Sequence, residues 1–267
     1  MNPAYKRVYH YHVRKTAGSS LNAAFWALGG LDHGSAGSSQ TGANGRRFVM
    51  HDPRLIAGGD YLFASAHLPM HRVRIPPETF TVTILRDPVG RVASYYRYLI
   101  WARQNSDADD VEPFIKQVYK ESRILDGRLR NLVWRIPPRY RARRFRDPVW
   151  RSLPRLRSRQ FRHFLEQISN QDLLTQVQMF SERLDPIEAA ENALSCDSVC
   201  FTETFGEDLK ALASMLQLDL REQRIRRFGE YVSLSEAETA MLRERLEPEY
   251  AMIEQVRRAL RERSPST

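Results

Sequence analysis

Cysteine is almost missing from this chain. Cys196 and Cys200 are the only two in 267 residues. Their C-x-x-x-C spacing with no histidine beside it excludes a zinc pattern and offers no disulfide framework. Both are read as buried apolar thiols, and nothing calls for an oxidising compartment. No apolar run approaches the ~20 residues that a bilayer span needs. Met1 to Val8 leads straight into a strand-like stretch without the apolar stretch of a secretory leader, so a cytoplasmic location is expected. No carboxylate and histidine cluster has metal-ligand spacing, so no metal is expected. No internal repeat is visible. What is left is an ordinary globular composition, 42% hydrophobic, long enough for one large core or for one domain with an added lobe.

Acid is scarce in one region above all. Arg123 to Arg162 holds fourteen arginines against two acids, Asp126 and Asp147, and no lysine, while the whole chain carries a net charge of +9. The positive excess is therefore local, which points to an anionic partner more strongly than an even excess would. Arginine alone suits bidentate recognition of sulfate, phosphate or carboxylate. Three readings of this segment stay open: a surface for an anionic glycan, contact with an anionic membrane near a lipid-linked acceptor, or a solvated face. Trp134, Tyr140 and Trp150 within it are suited to stacking on sugar rings or to filling a small core.

Along the chain, Lys6 to Val13 predicts a strand. Leu21, Ala24, Phe25 and Leu28 follow the i, i+3, i+4, i+7 pattern of a helix with one buried face, ended by Gly29 and Gly30. Gly34 to Gly45 reads as a surface loop. Tyr61 to Ala66 and Thr79 to Leu85 predict two more strands, the second rich in β-branched residues. Asp87 and Pro88 open a helix with the stripe Val89, Val92, Tyr96 and Leu99. Helical signals return over Gln171 to Phe180, and Asp185-Pro186-Ile187-Glu188 opens a further helix. Ser198 to Thr202 predicts a short strand. Thr204 to Glu207 and Ser235 to Glu238 read as capping boxes. Strands alternating with helices imply an α/β chain whose parallel sheet is covered on both faces. The chain is read as one domain over residues 1–267, with 123–165 as a basic insertion and 170–263 as a mostly helical C-terminal part.

Two segments carry the chemistry. His12-Val13-Arg14-Lys15-Thr16-Ala17-Gly18-Ser19-Ser20 joins a strand to a helix. It sets a lysine, hydroxyls and a glycine at a helix N-terminus, where unpaired N–H groups and the macrodipole favour an anion. A Walker A loop has its lysine after the last glycine, whereas Lys15 precedes Gly18 and residue 11 is Tyr11, so an ATP-dependent P-loop kinase is disfavoured. An exposed lysine in an ordinary strand–helix turn is the competing reading. Seventy residues on, Arg86 ends a strand, and helical periodicity sets Asp87, Arg91, Ser94 and Tyr98 on a face away from the apolar stripe. Arg86 and Ser94 are then candidates to reach one phosphate. The alternative is an arginine paired with a carboxylate and a serine in solvent. Two such segments suggest a ligand with two separated anionic groups.

These segments resemble those of the PAPS-dependent sulfotransferases, the group of heparan sulfate 2-O- and carbohydrate sulfotransferases. His12 to Leu21 is similar to that family's H-I-P-K-T-G-G-T-S-L loop for the 5′-phosphosulfate. Leu85 to Tyr96 is similar to its R-D-P-x-x-R-x-x-S-x-Y motif for the 3′-phosphate. Weaker echoes are Ala66-His67-Leu68-Pro69 (G-H-x-P) and Phe201-Thr202-Glu203-Thr204-Phe205 (G-L-T-E-x-F). Arg14 departs from the family's proline, and Gln178 stands where the family often has an arginine.

The resemblance implies a P-loop-NTPase-like parallel sheet and transfer of a sulfuryl group from PAPS to an acceptor hydroxyl, without metal; the arginine-rich block favours a glycan or glycolipid as acceptor, and no nucleic acid is expected, since no recognition-helix or stacking-platform pattern accompanies the arginines. The resemblance also implies that Arg14, Lys15, Thr16, Ala17, Gly18, Ser19 and Ser20 hold the 5′ end of the donor. Arg86 and Ser94 hold the 3′-phosphate, and Lys15 stabilises the leaving oxygen. A histidine should take the acceptor proton. His67, emerging after a strand at the sheet edge that also carries Lys15, is the candidate, with His12 and His71 in reserve; a structural histidine at a strand end is the alternative. A non-catalytic polyanion- or nucleotide-binding protein on the same scaffold is the rival of a different class.

Overall fold

The computed structural model describes residues 1–32, 39–104, 161, 164–166, 168–223 and 234–263. The described chain falls into two compact units. One comprises Met1–Val92, Leu173–Arg227 and Arg243–Thr267, the other Ala93–Asp172 and Phe228–Leu242. The arginine-rich block, with Trp134, Tyr140 and Trp150, lies outside the described residues except for Phe161.

In the first unit, alternating and β-branched apolar residues build a six-stranded sheet. Its strands are β1 (Arg7–Tyr11), β2 (Ser39–Thr41), β3 (Arg47–Met50), β4 (Phe63–Ala66), β5 (Thr79–Leu85) and β6 (Ser198–Phe201), in the order β2-β3-β4-β1-β5-β6. All neighbouring pairs are parallel except the edge pair β2 and β3. The chain is thus mixed α/β, with a mostly parallel sheet flanked by helices. Val8, Phe63, Phe80, Val82 and Ile84 join Phe25 and Trp26 of helix α1 (Gly18–Ala27) and Leu209, Leu212 and Leu216 of a later helix in one buried cluster. Buried on both faces, such strands carry near-continuous apolar runs.

Several expectations need correction. The first strand stops at Tyr11 because Val13 N–H turns back to the Tyr11 carbonyl at 3.1 Å. Helix α1 is buried around most of its circumference, Asn22, Ala23 and Trp26 included, so a single apolar stripe under-describes it. The Gly34 to Gly45 stretch contains strand β2, which closes the sheet edge against β3. Strand β3 and helix α2 (Pro53–Gly58) lie in a stretch for which the sequence reading assigned no element. Phe48 and Val49 are fully buried, and Asp52 caps α2 by accepting from the Arg54 and Leu55 N–H groups.

Helix α3 (Pro88–Gln104) begins as expected, with Asp87 Oδ1 accepting from Gly90 N–H at 2.6 Å. Arg91, expected on the polar face, is instead fully buried. The C-terminal part contains α4 (Asn170–Leu173), α5 (Thr175–Phe180), α6 (Pro186–Leu194), α7 (Phe205–Leu216), α8 (Glu236–Arg245) and α9 (Glu247–Arg263). Asp185 caps α6. The capping box expected at Thr204 is not formed: its hydroxyl donates to Asp208, whose carboxylate also accepts the Phe201 N–H.

In the second unit Tyr96 meets Phe161 and Phe164 with ring centroids 5.0 and 5.1 Å apart. The Ser235–Glu238 box is reciprocal there, as expected. Among the described residues, no helix is long and apolar enough to cross a membrane.

Candidate functional site

The strand order concentrates chemistry on one edge. The chain builds β3 and β4 on one side of β1, then crosses to add β5 and β6 on the other. In open parallel sheets the crevice at such a switch, beyond the strands' carboxyl ends, is the ordinary ligand position. His51 follows β3, His67 follows β4, the His12–Ala17 turn follows β1, Arg86 follows β5 and Glu203 lies just past β6. Every parallel strand thus delivers polar residues to that edge.

The turn after β1 is tightly built. Lys15 and Ala17 both take left-handed backbone conformations, with φ of 69° and 67°. Thr16 is fully buried, and its hydroxyl donates to the Val13 carbonyl at 2.9 Å. Its side chain staples the turn from within. Gly18 lies against two imidazoles, because a Cβ there would overlap His12 Cδ2 and Nε2 and sit 2.8 Å from His10 Cε1. Ala17 occupies the N-cap of α1 and gives no side-chain cap. The macrodipole end of α1 therefore keeps its preference for an anion. Arg14, Lys15, Ser19 and Ser20 are half-buried around it.

Helix α3 is the contrast. The Asp87 carboxylate occupies its first turn, and Tyr250 donates to the other Asp87 oxygen at 3.2 Å. The N-terminus of α1 is thus uncapped, whereas that of α3 carries its own carboxylate. At the second motif the cation is the Arg86 side chain. Its Nη1 donates to the Lys15 carbonyl at 3.1 Å, so the two motifs touch. Its guanidinium also lies along the first turn, where a Cβ on Gly90 would come 3.4 Å from Arg86 Nε. Ser94 sits further along α3, half-buried, in the part of the helix belonging to the second unit.

Side chains from distant sequence hold the backbone around Arg86. The Arg86 N–H donates to Gln176 Oε1 at 2.8 Å, and Gln176 Nε2 donates to the Arg86 carbonyl at 3.1 Å. Asp87 N–H donates to Glu203 at 2.8 Å, and the Thr202 hydroxyl donates to the Leu85 carbonyl at 3.3 Å. Gln176 is held in turn by Glu249, which accepts its N–H at 2.8 Å and its amide at 2.9 Å. Glu249 is ion-paired to Arg91 at 3.1 Å, with both side chains essentially inaccessible, and Arg91 also donates to the Leu173 carbonyl. The sequence reading missed Gln176 and Glu249. Glu203 stood in the weak Phe201–Phe205 echo, but Gln176 and Glu249 carry no local signal.

Four histidines line up on the other flank. His51 stacks on His67 at 4.9 Å, His67 lies 4.2 Å from His12, and His12 stacks on His10 at 4.8 Å. The file runs from exposed His51 to wholly buried His10. His10 Nδ1 donates to Asn22 Oδ1 at 2.9 Å, and burial lowers its pKa to about 4. His67 Nδ1 lies 2.6 Å from the His12 carbonyl. A carbonyl only accepts, so Nδ1 carries the proton and Nε2 of the neutral ring is the acceptor. Desolvation, then the nearby His51 and Arg14 charges, hold the His67 pKa well below the usual histidine range. His71 is exposed on a short 3₁₀ turn (Met70–Arg72). Among the described residues, no group of three or more His, Cys, Asp or Glu is set to hold a metal ion. Cys196 and Cys200 are buried free thiols, each pushed up to about 12 by desolvation.

No family model matches this chain, and no curated protein matches it.

Proposed function

We propose that the chain is a sulfotransferase with a P-loop-like sheet, moving a sulfuryl group from PAPS to an acceptor hydroxyl of a glycan or glycolipid. The observation that carries the reading is the hydrogen bond from Arg86 to the Lys15 carbonyl. It brings the lysine turn and the arginine together at one sheet switch point, as a donor with a phosphate at each end requires. The uncapped N-terminus of α1 fits the 5′ end of such a donor, because it combines a macrodipole with Lys15 and Arg14. When bound, the donor supplies an activated sulfuryl group.

The chain's own residues then divide the work. Ser19, Ser20 and the first turn of α1 bind the 5′-phosphate. Thr16 fixes the turn from beneath. Lys15 offers an ammonium to charge that gathers on the leaving oxygen. Arg86 binds the 3′-phosphate, and the part given to Ser94 rests on the sequence motif alone. His67 Nε2 takes the acceptor proton; its lowered pKa keeps the ring unprotonated at neutral pH and makes it a weak base, so positioning supplies much of the effect. The arginine-rich block is assigned to the anionic acceptor or to a membrane surface that carries it.

The test is an acceptor screen with radiolabelled PAPS over uronic polysaccharides, neutral glycans, glycolipids and phenols. Label should appear in one class and be lost with Lys15→Ala and with His67→Gln. Polyanion binding that survives Lys15→Ala, with no acceptor labelled, would identify a non-catalytic binding protein instead.

A further inference from the structure

We infer that Gln176 is a positioning residue for Arg86, acting as a surrogate strand that fixes where its guanidinium stands and so sets selectivity for a 3′-phosphate. The inference rests on the function proposed above and extends it to a residue that the motif does not contain.

The geometry begins with the ladder. β1 pairs with β5 only as far as Tyr11 opposite Thr83, and β6 pairs with β5 only as far as Phe201 opposite Leu85. Arg86 is the first residue past both partners, so its N–H and carbonyl have no strand to bond. A primary amide carries the same acceptor and donor pair as a peptide group. Gln176 uses both, accepting the Arg86 N–H and donating to the Arg86 carbonyl. This extends β5 by one residue with a side chain instead of a strand.

The amide can sit only one way round. Turned over, its NH2 would face the Arg86 N–H and its oxygen would face both the Arg86 carbonyl and the Glu249 carboxylate, which accepts from Nε2 at 2.9 Å. Glu249 is itself fixed by Arg91 through Nε at 3.2 Å and Nη2 at 3.1 Å. Arg91, Glu249 and Gln176 are all buried, so a satisfied polar network rises from the interior to the backbone of Arg86, whose guanidinium also reaches Lys15. Such a network confers rigidity where every member has its partners. A guanidinium displaced by about 1 Å loses much of the benefit of preorganisation.

The experiment measures binding of adenosine 3′,5′-bisphosphate and adenosine 5′-monophosphate by calorimetry to the full chain and to Gln176→Met and Gln176→Asn. The wild type should prefer the bisphosphate. Both variants should lose at least tenfold of that preference, with monophosphate affinity falling by the smaller factor because the displaced guanidinium also holds the Lys15 turn. A wild type that binds neither nucleotide, or both equally, defeats the proposed function and this inference with it. A wild type that discriminates, beside folded variants that discriminate as well or lose both affinities together, overturns the positioning role alone. If neither variant folds, amide exchange in the wild type decides: the Arg86 N–H should exchange as slowly as the amides of β5, and exchange at the rate of an exposed loop overturns the clamp.

Discussion

Arg86 and Lys15, seventy-one residues apart in sequence, are joined by a hydrogen bond of 3.1 Å from the guanidinium of one to the backbone carbonyl of the other. The bond ties a side chain from the end of β5 to the left-handed turn after β1. An arginine that only made a surface ion pair would leave that turn untouched. Here the cation of the second motif shapes the loop of the first, so a change at Arg86 acts at both ends of the site.

Arg86→Lys tests this coupling. An ammonium keeps the charge but has no planar fork with which to reach a carbonyl and a phosphate together. Affinity for adenosine 3′,5′-bisphosphate should fall about tenfold or more, corresponding to one lost charge-assisted hydrogen bond. Affinity for adenosine 5′-monophosphate should also fall, by a smaller factor, because the Lys15 turn loosens. Titration calorimetry on both nucleotides reads the two effects separately, and an unchanged monophosphate affinity would show that the turn does not depend on Arg86.

Gly18 sets the first turn of α1 directly against the histidine file. Alanine in a helix is ordinarily better than glycine by roughly 1 kcal/mol. Here its Cβ would overlap the His12 ring and press on His10, whose rings are stacked with little room to move. Overpacking of this kind costs about 1–3 kcal/mol, so Gly18→Ala should be less stable than the wild type in urea unfolding. A gain in stability would mean that the imidazoles yield easily.

The parts of this molecule visible in its sequence were those with local signatures. Thr79 to Leu85 is a strand within its predicted bounds because its β-branched run needs no distant partner to be recognised. The Asp87-Pro88 and Asp185-Pro186 starts hold because a cap is a three-residue event. Asp52-Pro53 is the same signal, closed by a left-handed Gly59, and was open to the same reading. Lys15 and Arg86 could be named from their segments, but their contact could not, since strand order decides it. Arg91 was misread for the same reason. Helical periodicity put it on the polar face, and its partner Glu249 lies on a helix 158 residues away. Gln176 and Glu249 have no motif; only the buried network reveals them.

That network makes a further prediction. Removing one member of a buried pair leaves an uncompensated charge, at a cost of about 3–5 kcal/mol. Glu249→Gln should therefore be strongly destabilising, because Arg91 stays charged and buried. Combining it with Arg91→Met removes the orphaned charge while leaving a carbonyl to accept the Gln176 N–H. The double variant should be more stable than Glu249→Gln alone. Denaturant midpoints over the full double-mutant cycle check the sign of the coupling, and simple additivity would deny that the two residues interact.

Acid should weaken the fold through His10. Its imidazole is wholly inaccessible, and burial lowers its pKa from 6.5 to about 4. The unfolded chain takes up a proton at this residue near pH 6.5, whereas the folded chain takes it up only near pH 4. Between those values the unfolded state binds more protons, so stability rises with pH across the window and is lost as pH falls through it. Above pH 6.5 the contribution is complete. The loss on going down to pH 4 amounts to about 3 kcal/mol. His10→Gln cannot titrate, so although it should be the less stable protein at pH 7, its stability should decline less between pH 6.5 and 4. Urea unfolding of both proteins at half-unit steps gives the comparison, and parallel pH profiles would exclude His10 as the source.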